Sequence, residues 1–156
     1  MRARLIAMGE RMPEWVNTGV EEYRRRLTGG LSLEVEPVAL PRQQGMPAGK
    51  LRGREAELLR KRLRKYPDSH TVALEVTGRR LSTESLAERV AALRDEGTDL
   101  TLLAGGPEGL CPELSADCRE RWSLSDLTLP HPLVRILVAE QLYRAWSMLQ
   151  GHPYHR

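Results

Sequence analysis

Only two cysteines occur among the 156 residues, Cys111 and Cys118. They belong to no CxxC or Cys/His cluster, so neither a disulfide framework nor a zinc site is indicated, and both read as small buried hydrophobes. No apolar run approaches the roughly 20 residues of a membrane span. The opening Met1-Arg2-Ala3-Arg4 leads into a strand-like segment rather than a signal-peptide core. A cytoplasmic protein with no membrane partner is therefore expected. GxSxG and Gly-Lys-Ser/Thr elements are both missing, which excludes the serine-hydrolase elbow and the phosphate loop of nucleotide hydrolases. Internal repeats and low-complexity tracts are absent as well. What is left is enough for one domain of ordinary size, with 40% hydrophobic residues to build a core.

Strands and helices alternate along that domain. Arg2–Met8 reads as a first strand, and Pro13 then opens a helix with Val16, Val20, Tyr23 and Leu27 on one stripe. Leu31, Leu33 and Val35 alternate with polar residues in a second strand, which Pro37 consigns to a sheet edge. A loop follows from Pro41 to Gly49, then a helix from Lys50 to Leu63 with Leu51, Leu58, Leu59 and Leu63 inward. Thr71–Val76 makes a third strand, with Thr77-Gly78 as its turn, and Ser82 caps a helix that ends at Gly97. Leu100–Ala104 is a short buried strand, followed by a short helix around Glu113 to Glu120. Leu124, Leu127 and Leu129 alternate with small polar groups in the stretch 122–129. This order predicts an α/β fold, a mainly parallel sheet with helices on both faces. The last helix, after Pro130-His131-Pro132, is apolar on more than one side, which predicts that it packs on its own sheet and also against a second copy of the chain.

Two features carry chemistry. One is Gly105-Gly106-Pro107-Glu108-Gly109, directly after the buried strand. Glycines there let backbone amides approach a ligand closely at the carboxyl end of a parallel sheet, although plain turn chemistry explains the same residues. The other is charge. The net +3 divides into 15 Lys+Arg against 8 Asp+Glu in residues 1–66, and 9 against 13 in residues 67–156. Basic residues between Arg42 and Lys65, among them Lys50, Arg52 and Arg54, suit a phosphate backbone, or else a solvated helix face.

Together with that glycine loop, Leu124-Ser125-Asp126-Leu127-Thr128-Leu129-Pro130-His131, Glu140-Gln141-Leu142-Tyr143-Arg144-Ala145 and His152-Pro153-Tyr154-His155-Arg156 resemble the ribosomal RNA large subunit methyltransferase H family of the SPOUT class. The likeness runs from Met12-Pro13-Glu14-Trp15 to the end, with Ala104 and Cys111 as small departures. It implies one SPOUT domain over 1–156, a homodimer, and a C-terminal trefoil knot at roughly 100–156. The implied activity is S-adenosylmethionine-dependent methylation of N3 of pseudouridine 1915 in helix 69 of 23S rRNA, on the assembled 70S ribosome. Carried over by motif, the cofactor residues are Leu74, Gly105, Leu124, Ser125, Asp126, Leu127, Thr128 and Leu129, with no metal. Catalytic candidates are Glu140, His131, Tyr154 and Arg156, because some group must accept or stabilise the loss of the N3 proton. RNA candidates are Arg42, Lys50, Arg52, Arg54, Arg144 and His155. Each has a plainer reading: the leucines as core, Glu140 as the salt-bridge partner of Arg144, His131 as a helix cap. Two other functions compete, a non-catalytic ribosome- or RNA-binding factor and a SPOUT methyltransferase acting on tRNA. Binding of S-adenosylmethionine separates the first from an enzyme.

Overall fold

A computed structural model describes residues 1–42 and 45–155, the side chain of residue 155 excepted. Among the described residues five strands and five helices alternate almost strictly: β1 (Arg2–Met8), α1 (Glu14–Arg24), β2 (Ser32–Val38), α2 (Ala48–Leu63), β3 (His70–Arg80), α3 (Thr83–Asp95), β4 (Leu100–Ala104), α4 (Pro112–Asp117), β5 (Glu120–Ser123) and α5 (His131–Leu149), with a final 3₁₀ turn at Pro153–His155. All strands are parallel, in the order β2-β1-β4-β3-β5. The central strand β4 is thus inserted between β1 and β3, and Pro37 sits on the edge strand β2, where its missing N–H costs no ladder bond.

Because strand side chains alternate, each strand serves two cores. Leu5, Leu100 and Leu102 face α1, α3 and α5, meeting Val16, Val90, Val138 and Leu142. Ile6, Met8 and Leu103 face the other way, against Ala56 and Leu59 of α2 and Leu114 of α4. Helices therefore cover both faces. α5 lies against both α1 and α3, so the two-sided apolarity of α5 is satisfied largely within one chain and is not by itself a sign of a second copy.

Four local expectations are corrected. Leu58 is partly exposed, and the carboxylate of Glu55 takes the inward position instead, buried at 2% exposure. Thr77-Gly78 is not a turn: β3 runs on to Arg80, with a register shift against β5 between Leu74 and Arg79. The helix after the glycine loop stops at Asp117, so Glu120 starts β5, and the regular strand ends at Ser123. Neither cysteine is fully buried. Cys111 stands at the start of α4, its Sγ 2.7 Å from Glu113, while burial pushes the Cys118 thiol up to about 11.

Candidate active site

At the carboxyl end of β4, beside the middle of β3, a cleft of about 650 Å³ opens, within the range of small-molecule sites. Its walls are three separate stretches: Leu74–Val76 from the middle of β3, the loop Ala104–Leu110, and the irregular segment from Leu124 to the first turn of α5. Of the eight residues assigned to the cofactor by resemblance, Leu74, Gly105, Leu124, Ser125, Leu127, Thr128 and Leu129 line this cleft. Asp126 does not, and instead pairs with Arg80 at 2.7 Å. Its alternation with Ser125 and Leu127 gave no hint of this, because the run is not a strand.

The loop has a definite shape. Gly106-Pro107-Glu108-Gly109 is a β-turn closed by Gly109 N–H to the Gly106 carbonyl at 2.9 Å, with Pro at the second position and Gly109 at φ 78°. The missing Cβ atoms are used by the protein itself. A Cβ on Gly105 would lie 2.6 Å from the Gly109 carbonyl carbon, and one on Gly106 would collide with Glu55 Oε1. Glu55 reaches up from α2 beneath the loop, where its Oε2 accepts the Gly106 N–H at 3.3 Å. Its Oε1 has no hydrogen-bond partner among the described residues, and burial raises its carboxyl above the ordinary range. Sequence reading missed Glu55 altogether, since one glutamate in an arginine-rich helix looks like a surface charge.

The opposite wall is held by its own polar groups. Ser123 Oγ donates to the Ser125 carbonyl at 2.9 Å, and Ser125 Oγ accepts the Leu127 N–H at 3.0 Å, a local turn that presents Leu127 to the cleft at 73% exposure. Pro130 then caps α5, and His131 lines the cleft at the first helical position. Val76, Leu124, Leu127 and Leu133 leave apolar surface around the mouth.

Full-length comparison agrees with this architecture. Residues 1–155 match the family described as "Predicted SPOUT methyltransferase". The chain belongs to the SPOUT methyltransferase family. Among curated relatives, the Ribosomal RNA large subunit methyltransferase H of Alcanivorax borkumensis is 54% identical over 97% of this chain and 98% of its own. The protein of the same name from Pseudomonas paraeruginosa is 50% identical over the whole of both chains. Among solved structures, a probable methylase family protein from Haemophilus influenzae superposes with a TM-score of 0.57 at 16% identity, covering 99% of this chain and 70% of that one. A probable methyltransferase from Bordetella pertussis gives 0.56 at 18%, covering 92% and 95%. At those identities the likeness speaks for the fold.

Within this methyltransferase none of the remaining described candidates lines the cleft. Glu140 lies nine residues beyond His131 on α5, about 14 Å along the axis at 1.5 Å per residue. Its carboxylate accepts from Arg144 Nε at 2.9 Å, from Gln141 Nε2 at 2.6 Å and from the Tyr154 hydroxyl at 3.2 Å. Tyr154 packs against Tyr143 with ring centroids 4.6 Å apart and the planes tilted by 56°, and Arg144 lies over its ring. Burial, with a bond to Tyr23, pushes the Tyr154 hydroxyl up to about 12, so it is a proton donor at neutral pH. Arg156 and the His155 side chain fall outside the described residues. Arg42, Lys50, Arg52 and Arg54 form no ion pair among the described residues, whereas Arg60, Arg62 and Lys65 are paired with Asp117 or Glu36. No group of His, Cys, Asp and Glu suited to a metal occurs among the described residues, and no helix there is long and apolar enough to cross a membrane.

Proposed function

We propose that this chain uses S-adenosylmethionine to methylate N3 of pseudouridine 1915 in helix 69 of 23S rRNA within the assembled ribosome. It would act in the cytoplasm as a homodimer with a knotted C-terminal region. The observation that carries the reading is identity of about half, over essentially the whole length, to relatives named Ribosomal RNA large subunit methyltransferase H. The cleft fits the cofactor in kind: leucines from β3 and the 124–129 segment for the faces of an adenine ring, and backbone polar groups of the glycine loop for its edges. When bound, S-adenosylmethionine supplies a sulfonium methyl as electrophile, so the protein's own work is to orient both partners and exclude water.

A second copy gives the scattered candidates a role. The cleft and His131 lie at one end of α5, the Glu140–Arg144–Tyr154 group towards the other. In a dimer that laid one protomer's tail over its partner's cleft, each site would receive a methyl-donor pocket from one chain and RNA-holding side chains from the other. The apolar rim of Val76, Leu124, Leu127 and Leu133 suits such a cover. In this arrangement Tyr154 and Arg144 hold the target base and its phosphate. Glu140, already accepting three hydrogen bonds, orients Arg144 and Tyr154 rather than serving as a free base.

Transfer of labelled methyl from S-adenosylmethionine to 70S ribosomes, separated subunits and tRNA, all from cells lacking this protein, tests the reading. The expected product is N3-methylpseudouridine in the large-subunit RNA, formed fastest in assembled ribosomes. Label confined to tRNA would replace the substrate, and absence of cofactor binding would leave an RNA-binding factor.

A further inference from the structure

Beside the first cleft lies a second, of about 730 Å³, walled chiefly by Arg79 on β3, Arg89 on α3, and Arg119, Glu120 and Arg121 at the entry to β5. It falls in the half of the chain whose net charge is negative, so the charge split along the sequence conceals it. Folding gathers the cations. Glu120, the carboxylate in the wall, is fully engaged: it accepts from Arg89 Nε at 2.7 Å and from Trp122 Nε1 at 2.7 Å, and lies 2.8 Å from His70 Nε2. Against the opposing pull of burial, those donors hold it below the usual carboxylate range. Arg89 is thereby neutralised and acts as scaffold, while burial lowers His70 and keeps it uncharged at neutral pH. Three guanidinium groups remain. Arg79 and Arg119 form no side-chain ion pair among the described residues, and Arg121 has only a loose one, 3.7 Å from Glu75, with its side chain 60% exposed.

Two guanidinium groups with no ion pair among the described residues, and a third held only loosely by Glu75, repel each other around one concavity and favour a polyanion. Their position names which one. β3 gives Leu74–Val76 to the first cleft and Thr77–Arg79 to the second, so the two sites follow one another along the same strand, about 10 Å apart at 3.3 Å per residue. Arg121 stands three residues before Leu124 of the first cleft. We propose that this cleft is a phosphate-binding site for the RNA backbone next to the target nucleotide, with Arg79, Arg119 and Arg121 as its ligands. The proposal rests on the reading of the chain as an RNA methyltransferase and adds a contact surface apart from the basic helix α2. Guanidinium forks suit phosphate oxygens, and such contacts fix register without reading sequence.

The test compares the full-length parent with the Arg79→Gln/Arg119→Gln/Arg121→Gln variant, binding both to unmethylated 70S ribosomes over a salt series without turnover, and to S-adenosylmethionine alone. The expected result is a salt slope shallower by about two, from three lost contacts at about 0.7 each on single-stranded RNA. With it should come a KM for ribosomes at least tenfold higher, while kcat and cofactor affinity stay within twofold. An unchanged slope overturns the proposal. So does a loss of cofactor affinity matching the loss of ribosome affinity, which would reassign the arginines to the cofactor's carboxylate. A parent that binds ribosomes but transfers no methyl to them overturns the proposed reaction, while the slope comparison still decides the cleft. A parent that does not bind them at all overturns both.

Discussion

One single-residue constraint on the cleft is the meeting of Gly106 with the Glu55 carboxylate. A methyl group at position 106 has no room unless the carboxylate withdraws, and withdrawal removes the acceptor of the Gly106 N–H. Gly106→Ala is expected to lower S-adenosylmethionine affinity at least tenfold in calorimetry, and Glu55→Ala in the same chain should restore part of it by making space. Unchanged affinity in Gly106→Ala would show that the loop does not shape the pocket. Glu55 also makes a prediction about pH. Its folded carboxyl is raised by burial, so the folded chain holds that proton more tightly than the unfolded chain. The associated stability is complete below the ordinary carboxylate range and is lost as pH rises through the elevated value. Glu55→Gln keeps an acceptor for Gly106 but does not titrate. It should match the parent near about pH 4 and become the more stable of the two by about pH 7, where ordinary carboxylates are ionised. Parallel melting curves across that range would rule out the carboxyl as the source.

Among elements, the β3–β5 pair matters most to the site, because β5 delivers the 124–129 segment. The backbones of Gly78 and Trp122 approach so closely that a Cβ at 78 would lie 2.6 Å from the Trp122 carbonyl carbon. Gly78→Ala should therefore cost about 1–3 kcal/mol in urea unfolding and weaken cofactor binding as well, since β5 has to shift. A stability loss with intact binding would show that the 124–129 segment holds its shape independently of β5. The same pair marks the limit of what the chain's pattern reveals. Alternation in Leu31–Val35 and the apolar run Leu100–Ala104 disclosed β2 and β4, because each buries side chains at every second position or throughout. Thr77-Gly78-Arg79-Arg80 has no such pattern: it is a half-wet extension whose polar residues face a cleft, so it reads as a turn. Likewise Leu124, Leu127 and Leu129 look like a strand face, yet Ser123 and Ser125 fold the segment on itself, and Asp126 turns away to Arg80. The glycine loop was legible as a loop. Its steric partner Glu55, 51 residues earlier, was not, since no local periodicity records a contact of that range.

At the scale of the whole molecule, the separation between the cleft and the Glu140–Arg144–Tyr154 group makes the assembly testable by mixing. Gly106→Ala disables one component of the proposed site, and a chain ending at residue 151 removes Tyr154 from the other. Each homodimer alone should be nearly inactive. Mixed dimers should regain up to about half of the parent activity at a single intact composite site, with the two components read out separately by cofactor binding and ribosome binding. Mixing without recovery, when exchange of subunits is verified by mass spectrometry, would mean that each chain builds its site alone. Leu127→Glu, at the exposed rim, should shift the sedimentation profile towards monomer if that rim is the covered surface.

The strand order also governs how this molecule comes into being. β4, the middle of the sheet, cannot take its place until β1 and β3 are both available on either side of it. During synthesis the first three strands leave the ribosome with a gap at the centre, and their apolar faces have no complete core to enter. Pairing of β1 with β4 joins segments nearly a hundred residues apart, which places the chain among the slower folders. Both clefts depend on β3 with β5, and the first also on α5, so no part of the proposed chemistry exists while the chain is still being made. The proposed chemistry is thereby withheld from the unfinished chain, and the window for aggregation closes only once α5 has emerged and docked.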